Sequence, residues 1–163
     1  MKLNPSTNFA EPEAEPGLEL ERFLPYRLSV LTNRISTAIA RVYVRRFALT
    51  VPEWRVMAVL GRFGPLSANA VCERTAMDKV RVSRAVARLA AAGRLERRTD
   101  DADRRRALLE LTARGRAVYD EIGPLALAVE TRLLAQLSAV DHADLDRLLP
   151  KLEAAAATSF AEG

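Results

Sequence analysis

Hydrophobic residues along most of the chain recur at the three- and four-residue spacing of amphipathic α-helices. From Leu18 to about Phe47 this spacing predicts one long helix, whose apolar seam is formed by Leu24, Leu28, Leu31, Ile35, Ala38 and Val42. Three shorter helices are predicted next, over residues 51 to about 62, 67 to about 74 and 78 to 92. Because a tight turn joins the last two, they are arranged as in a helix-turn-helix.

Polar residues at the predicted helix ends support these boundaries. The run from Thr50 to Glu53 fits a capping box, in which the threonine and glutamate side chains satisfy free amides, with a proline in the first turn. Ser67 is placed to cap the next helix, and Gly93 is placed to end the helix that begins near residue 78.

The spacing changes after Gly93. Residues 94 to 98 and 106 to 111 are two short segments around a turn-rich stretch, and Leu109 and Leu111 share one face of the second segment. This pattern predicts a β-hairpin.

Two more helices are predicted after the hairpin. Thr112 begins a helix that runs to about Leu137 with a kink near Pro124, and Ser138 begins the last helix. The apolar face of that last helix is formed by Leu145, Leu148, Leu149 and Leu152. The predicted fold class is therefore mainly α with one small β-hairpin.

Composition excludes several kinds of site. The chain of 163 residues contains one cysteine, Cys72, and one histidine, His142. These are too few for a disulfide framework or a structural zinc site, and they disfavour a Ser/His/Asp or Cys/His catalytic arrangement. We expect no metal, no cofactor and no catalytic residues, and hence a protein that is not an enzyme. Cys72 is expected to be a buried small hydrophobe, and His142 to lie on the exposed start of the last helix.

The sequence predicts neither a secretion signal nor a membrane span. Residues 1 to 17 contain prolines and glutamates with few apolar residues, and are predicted to form a disordered acidic tail. The apolar runs are shorter than a membrane span, and the first twenty residues do not resemble a signal peptide. We therefore expect a cytoplasmic protein that does not enter membranes.

Positive charge is concentrated in one part of the chain. The formal net charge is +4, but between Arg74 and Arg116 there are 13 Lys or Arg against 6 Asp or Glu, a local net charge of +7. A basic region of this kind indicates a nucleic-acid partner.

Two elements of this region carry the basic side chains. The helix over 78 to 92 has an apolar stripe, a second stripe of Arg81, Arg84 and Arg88, and Lys79 and Ser83 at its amino-terminal end. A planar guanidinium can bond both acceptors of a guanine edge in the major groove. An exposed basic stripe is by itself also typical of a solvated helix face. The hairpin favours DNA, because it adds a second group of arginines nearby: Arg97, Arg98, Arg104, Arg105 and Arg106.

Several segments resemble one family of regulators. Asp103 to Thr112, followed by Gly115, resembles the wing signature of the MarR (multiple antibiotic resistance regulator) family, an Asp-x-Arg before a strand that ends in Leu-Thr. Met77 to Val86 resembles the recognition helix of that family, and Pro52 to Val56 resembles its second helix.

The resemblance covers about Thr50 to Arg116 and implies a ligand-responsive transcription factor. It implies a winged helix-turn-helix lobe over 49 to 112, and a homodimer formed by helices over 18 to 48 and 113 to 160. Arg105 matches the arginine that enters the minor groove, and Asp103 matches the carboxylate that holds the wing in shape. Arg104 and Arg106 are then phosphate contacts or internal partners.

The resemblance also implies an effector site near the dimer helices. Small aromatic acids or their coenzyme A thioesters are the expected effectors, and the protein is expected to repress a palindromic operator until one binds. The residues whose chemistry suits such a ligand are Ser36, Tyr43, Trp54, Arg55 and Tyr119. For each of them, however, the residue type by itself favours ordinary core or surface packing over a role in binding. A different function is a helical protein-interaction module whose basic surface docks an acidic partner without preference for DNA sequence.

Overall fold

Six helices and one β-hairpin make up the part of the chain that the computed structural model describes, residues 17–99 and 107–159. In chain order they are α1 (Leu24–Phe47), α2 (Val51–Phe63), α3 (Ala68–Thr75), α4 (Lys79–Ala91), β1 (Leu95–Thr99), β2 (Ala107–Leu111), α5 (Ala113–Leu134) and α6 (Ala139–Ser159). The predicted fold class is confirmed. The predicted acidic tail lies outside the described residues except for Gly17.

The chain falls into two compact units, one that ends at Ile35 and one that begins at Ser36. In the first unit, α1 begins at Leu24 rather than Leu18. The amides of Arg22 and Phe23 both donate to the carbonyl of Glu19 at 3.0 Å, which forms a separate turn before the helix. Pro25 then occupies the first turn of α1, where a residue without an amide is tolerated.

The hydrophobic core of the second unit gathers around α2 and α4. Val56, Met57 and Leu60 of α2 are at most 1% exposed. The predicted apolar stripe of α4 is confirmed, because its four members are 1 to 3% exposed: Val82, Ala85, Val86 and Leu89. Apolar residues of α1, α5 and the hairpin complete this core.

Local hydrogen bonds confirm the predicted helix starts. The Thr50 amide donates to Glu53 Oε2 (2.7 Å) and the Glu53 amide donates to Thr50 Oγ1 (3.4 Å), which completes the capping box of α2. Ser67 Oγ accepts from the Ala70 amide at 3.2 Å. Ala76, at φ 51°, turns the chain in the left-handed conformation between α3 and α4.

The β-hairpin is attached to the helices by one further backbone pairing. Its register runs from Leu95 opposite Leu111 to Thr99 opposite Ala107. The amide of Leu66, between α2 and α3, donates to the carbonyl of Leu109 (3.1 Å), and the Leu109 amide donates back to Leu66 (2.8 Å). This pairing fixes the hairpin beside α3, and the sequence pattern did not predict it.

The last two helices depart from the prediction in two respects. α5 continues through Pro124 and ends at Leu134, three residues earlier than expected. The His142 side chain lies at this end of α5, where its Nε2 donates a hydrogen bond to the Leu134 carbonyl at 2.9 Å. His142 is thus half-buried against the end of α5, and the expectation of an exposed side chain is wrong.

α6 begins with a second reciprocal cap. The amide and hydroxyl of Ser138 donate to Asp141 Oδ2, at 2.9 Å and 2.7 Å, and the Asp141 amide donates to Ser138 Oγ at 3.2 Å. These hydrogen bonds, the hydroxyl one most strongly, hold the pKa of Asp141 below its usual value. None of the described residues of α6 is buried, and its leucine face is 36 to 47% exposed. No described helix has the length and hydropathy needed to cross a membrane.

Arg94 joins three helices at the end of α4. Its Nη2 donates to the carbonyl of Phe47, the last residue of α1, at 2.7 Å, and its own carbonyl accepts from the Thr112 amide at 3.2 Å. Gly115, in the first turn of α5, packs directly on this carbonyl group: a Cβ at Gly115 would lie 2.9 Å from the carbonyl carbon of Arg94. A glycine is therefore required here by close approach of the backbone.

Gly115→Ala is expected to lower the free energy of unfolding by about 1 to 3 kcal/mol, because the added methyl group would push α5 away from Arg94. Urea denaturation followed by circular dichroism measures this change. Gly123→Ala in the same helix is the matched control, since nothing lies within 4 Å of its Cβ position. It should change stability by less than about 1 kcal/mol. Equal effects of the two substitutions would contradict the packing argument.

Candidate nucleic-acid interface

The helix α4 presents one face to the core and the opposite face to solvent. Its amino terminus is capped by Asp78, whose Oδ1 accepts from the Arg81 amide at 2.8 Å. Since the apolar stripe is buried, the residues half a turn away must point outward. Val80, Arg84 and Ala87, at spacings of four and seven, form the exposed ridge opposite the core.

The three predicted arginines of α4 have different surroundings. Arg81 lies on one flank, with its Nε 3.4 Å from Asp78 Oδ2, and both side chains are largely exposed. Arg88 lies on the same flank, with its Nη1 3.5 Å from Glu53 Oε1. Arg84 lies on the exposed ridge and pairs with none of the described carboxylates.

Glu53 makes a second contact that sequence reasoning, which treated it only as a cap, did not find. It is 5% exposed, and one carboxylate oxygen completes the capping box while the other faces Arg88. Arg88 therefore balances a buried charge and still exposes 69% of its side chain. A cleft of about 730 Å³ lies between the start of α2 and these arginines, and Arg81, Arg84 and Arg88 all line it.

The other flank of α4 meets the hairpin. Lys79 and Ser83 line a cavity of about 240 Å³ together with Arg97 of β1. The helix α4 and the strand β1 thus contribute basic side chains to one cavity. Cys72 lines the same cavity and packs against the core as a small hydrophobic residue, but it is only partly buried, less than expected. Val71 of α3 is fully buried in the core, and the next residue, Cys72, lies at the edge of that core.

The tip of the wing lies outside the described residues. Four predicted residues fall there: Asp103, Arg104, Arg105 and Arg106. In the described stem, Arg98 Nη1 is 3.7 Å from Glu110 Oε2, across the hairpin. Arg97 and Arg98 stand opposite Leu109 and Leu108 in the register.

A second set of predicted residues comes together on α1, α2 and α5. Arg55 Nη2 donates to Ser36 Oγ at 3.2 Å. The Trp54 ring lies between two tyrosines, with its centroid 5.6 Å from that of Tyr43 and 6.1 Å from that of Tyr119. All five residues predicted for an effector site therefore belong to one neighbourhood of the second unit.

Two residues of this neighbourhood were missed by sequence reasoning. The Tyr119 ring lies over Gly61, where a Cβ would be 2.5 Å from the ring carbons. Arg116 lies 5.3 Å from the centroid of the same ring and donates to the Gly61 carbonyl at 2.8 Å. The available signal was the glycine itself, since a glycine inside a helix lowers helix stability and usually has a packing reason.

Comparison with known proteins identifies the family. A sequence model of the MarR family matches residues 49–106. The chain is 30% identical to a probable transcriptional regulator from Pseudomonas aeruginosa, with 82% of this chain and 98% of that chain covered and a TM-score of 0.67. An HTH-type transcriptional repressor of Mycobacterium tuberculosis is 28% identical over 131 residues, which are 80% of this chain and 91% of the relative. The chain belongs to the MarR family of transcriptional regulators.

A further similar structure is that of a protein whose DNA binding responds to a small molecule. Bordetella bronchiseptica BpsR, whose DNA binding is regulated by 6-hydroxynicotinic acid, is 25% identical, with 85% of this chain and 98% of that chain covered and a TM-score of 0.72. The helix-turn-helix formed by α3 and α4, with the hairpin beside it, agrees with membership of the MarR family.

Tyr43 gives this MarR protein a testable dependence on pH. Its side chain is 1% exposed, and burial raises its pKa from 10.0 to about 12, against a smaller opposing effect of the Arg55 charge. Between these values the unfolded tyrosine has lost its proton and the folded one has kept it. Unfolding then releases a proton, so stability falls as the pH rises.

In the wild type, this effect lowers the free energy of unfolding by about 2 to 3 kcal/mol between pH 9 and pH 12. Tyr43→Phe is expected to remove the decrease. Urea titrations of both proteins across this range measure the difference. Tyr26→Phe, at a position 45% exposed, is the control and should retain the wild-type dependence. If Tyr43→Phe also retains it, the burial of the hydroxyl does not govern this titration.

Proposed function

We propose that this chain is a homodimeric repressor that binds a palindromic operator and releases it when a small aromatic acid or acyl-CoA-like effector binds. It would act on nucleoid DNA in the cytoplasm. The observation that carries the proposal is the continuous basic surface of α4 and the β1 strand, in which Lys79, Ser83 and Arg97 line one cavity beside the exposed ridge of Arg84.

The surface chemistry supports distinct roles for the basic residues. Arg84 projects from the center of the ridge, so it is proposed to contact a guanine edge in the major groove. Lys79, Ser83 and Arg81 lie on the flanks, where phosphates of the two strands would pass. Arg88 is proposed to contact phosphate while it holds Glu53. In the wing, Arg105 is proposed to enter the minor groove, with Arg104 and Arg106 as phosphate contacts and Asp103 as the structural carboxylate.

Exposed apolar faces support the proposal of a homodimer. The leucines of α6 are 36 to 47% exposed, and Leu24, Leu28 and Leu31 of α1 are 41 to 49% exposed. A second copy of the chain would cover such faces, so residues 18–48 and 113–160 are proposed as the dimerisation region. A two-fold dimer places two α4 helices about one duplex turn apart, which calls for a palindromic operator. Residues 49–112 are proposed as the DNA-binding lobe of each copy.

The aromatic neighbourhood supports the effector class. The Arg55 charge acts on the Tyr43 hydroxyl, and the Tyr43 and Tyr119 rings flank Trp54. A guanidinium close to aromatic rings suits a planar ligand with a carboxylate. The response of BpsR to an aromatic acid supports the same class. A bound effector lowers operator affinity if it prefers a conformation in which the two α4 helices have a different spacing. The decrease equals the ratio of the effector's affinities for the two conformations.

Arg84→Ala is expected to lower affinity for the selected operator about 5- to 150-fold, which corresponds to about 1 to 3 kcal/mol for a lost bidentate contact with guanine. Its affinity for a scrambled duplex should fall much less. Operators selected from a random DNA pool and fluorescence anisotropy titrations give both values. Arg81→Ala on the flank is the matched control and should weaken both duplexes equally. A wild-type protein without preference for any duplex would instead favour a protein-interaction module.

Arg55→Gln is expected to raise the concentration of aromatic acid needed for half-release of the operator by at least about tenfold, because a charged hydrogen bond is lost. Operator affinity without effector should stay within about twofold. Titration of the protein–operator complex with a panel of hydroxybenzoates and nicotinates tests this. Arg62→Gln, elsewhere on α2, should respond as the wild type does, and an equal shift in both variants would argue against this site.

A further inference from the structure

One large apolar side chain lies on the exposed face of α4. Val80, in the first turn, is 58% exposed, whereas Val82 and Val86 of the same helix are 1% and 2% exposed. Val80 shares its ridge with Arg84 and Ala87, which follow at the spacings of one and two helical turns. Packing within the described lobe therefore does not explain a valine at this position.

Helix stability does not explain this valine either. A β-branched side chain loses rotational freedom in a helix, and the first turn of a helix favours acidic or capping residues. An exposed isopropyl group also leaves apolar surface in water. Folding of the lobe alone therefore does not favour a valine at this position, whereas an apolar contact with a partner would account for it.

The charges around Val80 indicate what kind of partner it contacts. Its chain neighbours Lys79 and Arg81 are exposed and basic, and Arg84 follows one turn later. A second copy docked on this face would bring like charges together, whereas a polyanion is complementary to it. In the major groove of DNA, the apolar group on the base edges is the 5-methyl group of thymine.

We infer that Val80 contacts the 5-methyl group of a thymine in each operator half-site, and thereby determines part of the sequence preference. The inference rests on the proposed function, in which α4 lies in the major groove. Four helical residues span about 6 Å, which is roughly two base-pair steps of about 3.4 Å. The thymine therefore lies within about two base pairs of the guanine that Arg84 contacts.

The experiment removes only the methyl group. One thymine position of the selected operator is replaced by deoxyuridine at a time, in both half-sites together. The dissociation constant of the full-length protein is then measured for each duplex. Replacement at one position is expected to raise the dissociation constant about 5- to 20-fold, because one buried methyl contact is lost in each half-site. Val80→Ala should bind the thymine and deoxyuridine duplexes equally well.

Two controls make the outcome decisive. Arg81→Ala, on the flank of the same helix, should keep the wild-type ratio between the two duplexes. Thermal unfolding of Val80→Ala checks its folding, which an exposed position should leave intact. The inference is overturned if every deoxyuridine is tolerated within twofold, if the selected half-site contains no thymine, or if Val80→Ala keeps the discrimination. In those cases specific binding itself persists and the proposed function stands, whereas loss of all sequence preference in the wild type would overturn both.

Discussion

Burial of four apolar side chains on one face of α4 fixes the rotation of this helix about its own axis. Val82 and Leu89 are each 1% exposed, so a helical rotation of even one residue would expose them and push arginines toward the core. Burial of an unpaired charge costs far more than burial of a methyl group gains. The hydrophobic effect that folds the second unit therefore also holds Val80 and Arg84 outward, where a duplex can reach them.

A single buried carboxylate links the start of α2 to the flank of α4. Glu53 Oε2 accepts a hydrogen bond from the Thr50 amide at 2.7 Å, and Glu53 Oε1 lies 3.5 Å from Arg88 Nη1. The amino-terminal end of a helix stabilises negative charge, and Arg88 supplies the opposite charge from the neighbouring element. Arg88 and Arg81 of the basic stripe thus each have an acidic partner, Glu53 and Asp78, whereas Arg84 on the ridge has none among the described residues.

Arg94 connects the dimer helices of the proposal to the DNA-binding lobe. Its side chain binds the last carbonyl of α1, and its backbone lies against Gly115 at the start of α5. The proposed effector residues come from α1, α2 and α5, so a ligand that changes the spacing of these helices acts on elements that Arg94 joins. Close packing at Gly115 leaves little room to absorb such a movement locally. Arg94 thus connects helices of the proposed effector site to the residues that directly follow α4.

The sequence by itself determined the features that depend on residues within a turn of each other. The capping box at Thr50, the cap at Ser67, the end of α4 at Gly93 and the buried face of α4 all follow from spacings of three or four residues. The basic stripe of α4 also follows from spacings of three and four residues. The family resemblance follows from motifs of consecutive residues in the segment from Thr50 to Arg116.

Only the tertiary structure decided which distant residues meet. The pairing of Arg88 with Glu53, the approach of Arg97 to Lys79 and the bridge between Leu66 and Leu109 join elements far apart in the chain. The burial of Tyr43 and the partial exposure of Cys72 depend equally on how these elements pack. Such contacts depend on crossing angles and on the packing of whole faces, which no short spacing encodes.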